Sequence, residues 1–342
     1  MADLATCSGL PEQLISDLEA GTNWVDQRRI LSAFATGLRL DPAELTGQPY
    51  MPCGSDHSIV HSLGWHTRRY LARILSEDGA AGETDREQLA ALVGELQSAD
   101  NDGDLVSAVL KVPRLLKAAG PPQHGDVDCG FAAHCAAAHV AVSRLLRRIG
   151  YRDLAWSVLA QASPPAEAGS AVLGEEVRLL LDMGQAELAV ARAARAEAYA
   201  SAEVVLPLAV ARAALGHEVE SERLLLSAQE KAVGSQQRSQ VASAGAFVAA
   251  ERGAYDRVLD RAAVAICLPA SDRSALLVLT ASARARLGCY GAAAKDLATA
   301  ESIAPMHTRL DPLARELVSL LPARAQEHAE ALGAMAARFG VK

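Results

Sequence analysis

The sequence predicts an all-α fold in which helical hairpins stack into a right-handed superhelical array, with a small helical module at the N-terminus. Two observations support this prediction. Half of the 342 residues are hydrophobic and only 4% are aromatic, and this Ala-rich composition suits closely packed helices better than sheets. Glycines also recur about every 34 residues, a period typical of stacked hairpins. The recurrent glycines are Gly150, Gly184, Gly216, Gly253 and Gly288.

The repeat unit is clearest after Gly288, which allows a tight turn between two helices. Ala293 is small enough for two helices to approach closely, Leu297 and Ala300 continue the same face, and Pro305 ends the helix. These spacings resemble the second half of a tetratricopeptide (TPR) repeat. The residues five positions after the four upstream glycines are Ala155, Ala189, Ser221 and Val258.

Bulk properties exclude several classes of protein. The formal net charge of −8 argues against a general polyanion binder. The six cysteines are scattered without a Cys-x-x-Cys motif, which fits reduced thiols in a cytosol. No signal peptide begins the sequence, and charges interrupt every long apolar run before about 18 residues accumulate. We therefore expect a cytoplasmic protein without a membrane span.

The first 50 residues have a pattern of their own. We expect helices over residues 2–8, 11–20 and 26–38, and a short capped turn over residues 41–45. The sequence at residues 8–10, 15–21 and 41–50 resembles the Xre-type helix-turn-helix. More narrowly, it resembles actinobacterial regulators that join this module to a TPR region, and the resemblance extends weakly to residues 150–156.

This resemblance implies DNA binding by the N-terminal module and ligand or peptide sensing by the repeats. It divides the chain into a degenerate helix-turn-helix module (1–50), connecting helices (51–125) and a TPR-like domain with a C-terminal cap (126–342). The cap is expected as a hairpin over residues 310–320 and 324–339. We expect the first 50 residues to form a small module appended to the array. We also expect a groove that is lined by the first helices of the hairpins and closed by residues 55–140.

The sequence departs from that family in two respects. The family has a further helix before residues 2–8, which this sequence does not include. The expected recognition helix, residues 11–20, has no Lys or Arg, and residues 1–50 carry three basic against seven acidic residues. Because nonspecific DNA affinity comes from cations that neutralise phosphates, we expect no DNA binding.

A helix within residues 51–77 carries His57, His61 and Trp65 at four-residue intervals, so the three side chains share one face. One interpretation is a polar face that packs on the array. The functional interpretation is one wall of a pocket, with His61 as an acid or base and Trp65 as an apolar platform.

Lys111 lies at the edge of an apolar stripe on the helix expected over residues 104–119. A lysine at such an edge commonly extends its amine to solvent. The alternative is a partly desolvated amine that acts as a catalytic base or proton donor. We take Lys111 as the candidate for acid–base chemistry, with a histidine as its partner.

The apolar helix over residues 131–148 contains His134 and His139, and Trp156 follows it. A zinc site with Cys129, Cys135 and His139 is one interpretation. Histidines that are hydrogen-bonded within the array, or that line its groove, are favoured instead. We assign His134 a catalytic role and His139 and Trp156 a ligand-binding role, although Trp156 could equally fill the core. No metal or other cofactor is expected.

Two functions remain open. In the first, a regulator-like scaffold has lost DNA binding and its groove holds a small, largely apolar molecule. This version includes enzymes of secondary metabolism, such as antibiotic biosynthesis, in which acid–base groups steer cyclisation or dehydration. In the alternative, an Xre-family transcriptional regulator senses a small molecule or peptide. Both functions imply a small-molecule partner, and the sequence leaves open whether the protein forms a homodimer.

The charged residues Glu175, Glu176 and Arg178 are expected to be exposed charges without a further role.

Overall fold

The structure is a computed structural model that describes residues 2–76, 86–120, 129–163, 169–194 and 201–341. These ranges are helical and contain no strand, which confirms the all-α fold. The first nine helices are α1 (Ala2–Ser8), α2 (Glu12–Glu19), α3 (Arg28–Leu38), α4 (Pro42–Thr46), α5 (Ser55–Leu75), α6 (Arg86–Asn101), α7 (Leu105–Ala119), α8 (Cys129–Ile149) and α9 (Arg152–Leu159).

The remaining helices complete the array and its C-terminal cap. They are α10 (Gly169–Asp182), α11 (Ala186–Ala194), α12 (Ala202–Ala214), α13 (Glu218–Lys231), α14 (Gly234–Glu251), α15 (Tyr255–Val264), α16 (Ala270–Arg286), α17 (Tyr290–Ile303), α18 (Pro305–Arg309), α19 (Pro312–Leu320) and α20 (Ala329–Phe339). Consecutive helices from α6 to α17 pack as six hairpins. The first helices α8, α10, α12, α14 and α16 also pack against each other in series. The pair α19–α20 is the predicted terminal hairpin.

The turn inside each later hairpin has the geometry that the recurrent glycines predict. All five have positive φ angles, between 69° and 101°. The amide that follows each glycine bonds to the carbonyl five residues earlier; Gln185 N to Leu180 O, for example, is 2.7 Å. This is the Schellman motif, which ends a helix and reverses the chain.

The position five residues after each glycine is a close contact between two helices. The side chains there are fully buried, and they belong to Ala155, Ala189, Ser221, Val258 and Ala293. The serine fits because its hydroxyl donates to the carbonyl of Ala209 at 2.7 Å. The predicted small-residue packing is confirmed.

The array also closes on itself between its early and late hairpins. Gly103, in the α6–α7 turn, has a φ of 81°, and a Cβ there would lie 2.7 Å from the carbonyl oxygen of Ile303. Next to it, Asp100 Oδ1 lies 3.3 Å from His307 Nε2, and α6 packs on α16. Gly103 is a sixth repeat glycine that the sequence reading missed, although Ala108 and Val112 follow it in the same pattern.

The N-terminal helices form as the sequence predicts. The turn at α4 has a capping box, in which Asp41 Oδ1 accepts from Ala43 N and Glu44 Oε2 accepts from Asp41 N. Their placement differs from the expectation of an appended module. The chain from residue 22 to residue 50 lies against the concave side of the array. Its polar groups bond to four separate hairpins: Trp24 to α16, Arg28 to α14, Ser32 to the α10–α11 turn and Gln48 to α9.

Helix α8 is the one described helix whose length and composition would suit a membrane span. Half of its apolar stretch is buried inside the protein, where it packs against α6, α9 and α10. Such burial is typical of a core helix in a soluble protein. The linkers expected at residues 79–84 and 121–125 and the capping threonine Thr84 lie outside the described residues. The division into three domains stays a prediction. The α6–α7 hairpin packs on α8 much as later hairpins pack together.

Candidate ligand channel

The concave side of the array contains a half-open channel of about 1420 Å³. The predicted lining by the first helices of the hairpins is confirmed, because α8, α10, α12, α14 and α16 all contribute side chains. We expected residues 55–140 to close the groove, and this was wrong. Among those described, only Leu105 lines it, and the N-terminal segment, defined as residues 22–50, takes their place.

Three of the repeat glycines show how closely the N-terminal segment follows the array. A Cβ on Gly150 would lie 2.5 Å from the Gln48 side chain, and one on Gly184 would lie 3.0 Å from Ser32 Oγ. At Gly253 the nearest atom would be Gln27 Nε2, at 3.4 Å. Glycine therefore has two roles at these turns: it permits the backbone angle and leaves room for the segment.

The start of the N-terminal segment is fixed to α16. Trp24 is buried, and its Nε1 donates to Ser282 Oγ at 2.8 Å. Arg286 Nε lies 3.0 Å from Asp26 Oδ2, and its guanidinium stacks 4.0 Å from the Trp24 ring centroid. A buried ion pair and a cation–π contact hold this end together.

The middle of the segment is anchored to α14 and α10. Arg28 Nη1 lies 3.1 Å from Glu251 Oε1, and Arg28 Nε lies 3.8 Å from Asp182 Oδ1. Burial alone would lower the pKa of Arg28, but these two carboxylates outweigh it and raise the pKa above its ordinary value. Ser32 Oγ donates to the carbonyl of Gly184 at 2.8 Å.

The end of the segment meets α9 and the turn after α18. Gln48 Nε2 donates to the carbonyl of Leu310 at 3.3 Å, and its Oε1 accepts from Arg152 Nη2 at 3.2 Å. Arg152 also lies 3.5 Å from Asp41. The segment therefore touches the array at both ends and in the middle.

The channel wall is strongly charged, which the sequence reading missed. Its lining includes seven arginines: Arg28, Arg144, Arg147, Arg148, Arg152, Arg178 and Arg315. It also includes seven acidic residues: Asp26, Asp182, Glu203, Glu251, Asp272, Asp311 and Glu316. The available signal was the run of arginines at helical spacing near the end of the otherwise apolar α8.

Glu175 is the centre of the arginine cluster. We expected it to be exposed, but its side chain is fully buried. Arg147 Nε donates to Glu175 Oε1 at 2.6 Å and Arg147 Nη1 donates to Asp182 Oδ2 at 2.8 Å. Arg144 and Arg178 each lie 3.9 Å from Glu175 Oε2. A fully buried carboxylate therefore faces three guanidinium groups, which offset the cost of its burial.

Where the array closes, Arg148 joins α8 to α6 and α16. It lies 2.8 Å from Asp100 on one side and 2.8 Å from Asp272 on the other. Burial opposes ionisation of Asp100, but Arg148 and His307 outweigh it and hold the pKa of Asp100 well below its usual range. This network stabilises the contact between early and late hairpins.

Two carboxyl groups that line the channel have raised pKa values. Burial raises the pKa of Asp311 to about 6 and that of Glu316 to about 7. Asp311 is held as the N-cap of α19, where its Oδ1 accepts from Ala314 N at 2.9 Å. Groups with such values can exchange protons near neutral pH.

None of the six predicted site residues is among the residues that line this channel. Lys111 lies on α7, where its Nζ is 3.5 Å from Glu95 Oε2. On α5, Trp65 is 56% exposed, and His61 Nε2 lies 2.8 Å from Tyr151 Oη. The structure therefore pairs His61 with Tyr151, and not with Lys111.

The other three predicted residues are also apart from the channel. His134 Nδ1 donates to the carbonyl of Gly130 in its own helix at 2.6 Å. His139 Nε2 donates to Tyr70 Oη at 2.8 Å, and burial lowers the pKa of His139 to about 4. Trp156 is 38% exposed on α9. His139 is thus a hydrogen-bonded core histidine, which was one of the interpretations left open.

Comparison with known protein families found no family model that matches this sequence, and comparison with curated proteins also found no match.

Proposed function

We propose that this chain is a ligand-binding helical-repeat protein, whose channel holds a small molecule between the repeat array and the N-terminal segment. The observation that carries this proposal is a channel of about 1420 Å³ with walls from both parts. Pockets for small molecules are commonly about 300–1,000 Å³, so the space is sufficient. A ligand that contacts both walls would stabilise the conformation in which the N-terminal segment lies against the array.

We propose further that the protein acts without binding DNA. In the N-terminal module, α2 carries Glu12, Asp17 and Glu19 and no cation. Arg28, one of three basic residues in the module, is already paired with Glu251. Fluorescence anisotropy with genomic DNA fragments should show no sequence-selective binding at physiological salt. Nanomolar binding with a steep salt dependence would instead support the regulator.

The free thiols of all six cysteines support a cytoplasmic location.

The test of ligand binding is to fill the channel. Ala275 lines it from α16, and Ala298 is exposed on α17. Native mass spectrometry of the protein after incubation with a small-molecule extract should reveal a bound species. Ala275→Trp should abolish that species, whereas the matched variant Ala298→Trp should retain it. Equal retention in both variants would contradict binding in the channel.

Acid–base catalysis on the bound molecule is a second candidate, favoured by the raised pKa values of Asp311 and Glu316. One carboxyl would donate a proton while the other accepts one, as cyclisation and dehydration require. Mass spectrometry would then show the bound species losing water with time. Glu316→Gln should stop that change without preventing binding; an unchanged rate would exclude Glu316 from the chemistry.

A further inference from the structure

Arg144 and Arg178 differ from the other arginines of the channel wall. Neither makes a hydrogen bond to any residue that the structure describes. Each is paired with Glu175 Oε2 at 3.9 Å, and that oxygen has no hydrogen-bond partner of its own. Their side chains are 38% and 31% exposed, and both line the channel. Their guanidinium groups therefore present N–H donors to the channel interior.

The neighbouring carboxylates are already bonded to other arginines. Glu175 Oε1 accepts from Arg147 at 2.6 Å, and Asp182 accepts from Arg147 at 2.8 Å. Asp272, the other nearby acid, accepts from Arg148 at 2.8 Å. Glu175 Oε2 accepts no hydrogen bond, but at 3.9 Å from each of Arg144 and Arg178 it is too distant to accept one from either.

The electrostatic environment agrees with this geometry. Burial lowers the pKa of Arg178 to about 10, and the positive charges of Arg144 and Arg147 act in the same direction. The carboxylates of Glu175 and Asp272 oppose that effect without cancelling it. An additional negative charge at this position would be stabilising.

We propose that Arg144 and Arg178 bind the anionic head group, a carboxylate or a phosphate, of the molecule that occupies the channel. This inference rests on the proposed function and specifies its ligand as an amphiphilic acid. The planar guanidinium group suits both head groups, because it can donate two parallel hydrogen bonds to either. Glu175, which faces both arginines from the protein side, acts as a positioning residue.

The apolar part of such a molecule also has a place in the channel. Arg178 lies on α10, and α12, which packs directly on α10, contributes Leu206, Pro207 and Val210 to the lining. An alkyl chain that lies along α12 would bury apolar surface while its head group contacts the arginines. The proposed ligand is therefore largely apolar, as expected from the sequence, and carries a charge at one end.

The test compares three probes that share an eight-carbon chain: octanoate, octyl phosphate and octanol. Isothermal titration calorimetry at fixed ionic strength should show octanoate or octyl phosphate binding the native protein more tightly than octanol. The stronger of the two acids identifies the head group. The double variant R144Q/R178Q should weaken binding of that acid by about tenfold or more, the equivalent of one or two charged hydrogen bonds, and leave octanol unchanged.

The control is Arg192→Gln, since Arg192 pairs with Glu176 outside the channel. This variant should bind all three probes as the native protein does. The double variant removes two of the three guanidinium groups that face buried Glu175, so we expect it to unfold at a lower temperature than the native protein. Binding is therefore compared well below that temperature, where circular dichroism shows the variant to be folded. Equal binding of acid and alcohol, or acid binding that survives in the double variant, would overturn the anion site.

The same experiment separates this inference from the proposed function. If octanol and octanoate bind equally well and Ala275→Trp abolishes both, the channel binds ligands and only the anion site is wrong. If Ala275→Trp leaves binding of every probe unchanged, the proposed function is wrong as well. Failure of the native protein to bind either acid would overturn the anion site alone, because the native mass spectrometry tests the channel separately.

Discussion

The recurrent glycines act at the scale of single residues in two ways. Each occupies a left-handed turn that a side chain would strain. At Gly150, Gly184 and Gly253 the missing side chain also admits the N-terminal segment, while at Gly216 and Gly288 no atom lies within 4 Å of the Cβ position. The first role can be predicted from spacing, but the second requires knowledge of which distant residues approach the turn.

This difference provides a matched pair of substitutions. Gly184 and Gly216 have similar φ angles of 72° and 77°. Alanine at either position should cost about 1–2 kcal/mol of the free energy of unfolding, because of the left-handed backbone. Gly184→Ala should cost more than Gly216→Ala, because its Cβ would lie 3.0 Å from Ser32 Oγ. Denaturant titration would measure both, and equal losses would show that the segment does not press on the turn.

Glu316 is expected to give a pH dependence of stability. Since burial raises its pKa to about 7, the folded protein binds a proton that the unfolded chain releases near its ordinary pKa of about 4.3. This contribution to stability is fully present below about pH 4 and is lost as the pH rises to about 7. The midpoint temperature of thermal unfolding should therefore fall less between pH 5 and 7 for Glu316→Gln than for the native protein. Parallel curves would contradict the raised pKa.

At the scale of helices, the array depends on small residues where two helices approach. Ala189 and Ala193 are fully buried on α11, whereas Ala191 between them is exposed. Small buried residues four positions apart, together with the period of the glycines, made the hairpins predictable from the sequence. The channel arginines were less predictable. A run of charges on one helix face has the same pattern whether the face meets bulk water or lines a channel, and only the fold of the array distinguishes the two.

Ala189→Leu tests this packing. A larger side chain should overpack the α10–α11 contact and cost about 1–3 kcal/mol of the free energy of unfolding. Ala191→Leu makes the same chemical change on the exposed face of α11 and should change the unfolding free energy by less than about 0.5 kcal/mol. Thermal and denaturant unfolding would measure both variants. Similar effects would show that α11 does not pack as described.

At the scale of the whole molecule, the N-terminal segment and the repeat array form one unit around the channel. Sequence reasoning correctly predicted the helices of both parts. It placed the segment outside because local patterns carry no information on contacts between residues more than 200 positions apart, such as Arg28 with Glu251. It chose histidines, tryptophans and Lys111 for the site because they interrupt apolar helices. In the structure these side chains have partners outside the channel: His61 contacts Tyr151, His139 contacts Tyr70 and Lys111 pairs with Glu95.

The central claim is that residues 22–50 are held inside the array by the channel wall. Hydrogen exchange measured by mass spectrometry on peptides that cover α3 tests it most directly. The matched variants are Glu251→Gln, which weakens the buried pair with Arg28, and Glu218→Gln, which weakens the exposed pair with Arg252. We expect α3 to be protected in the native protein, to exchange about tenfold or more faster in Glu251→Gln, and to be unchanged in Glu218→Gln. Exchange of α3 that is rapid in the native protein, or unaffected by Glu251→Gln, would contradict the claim.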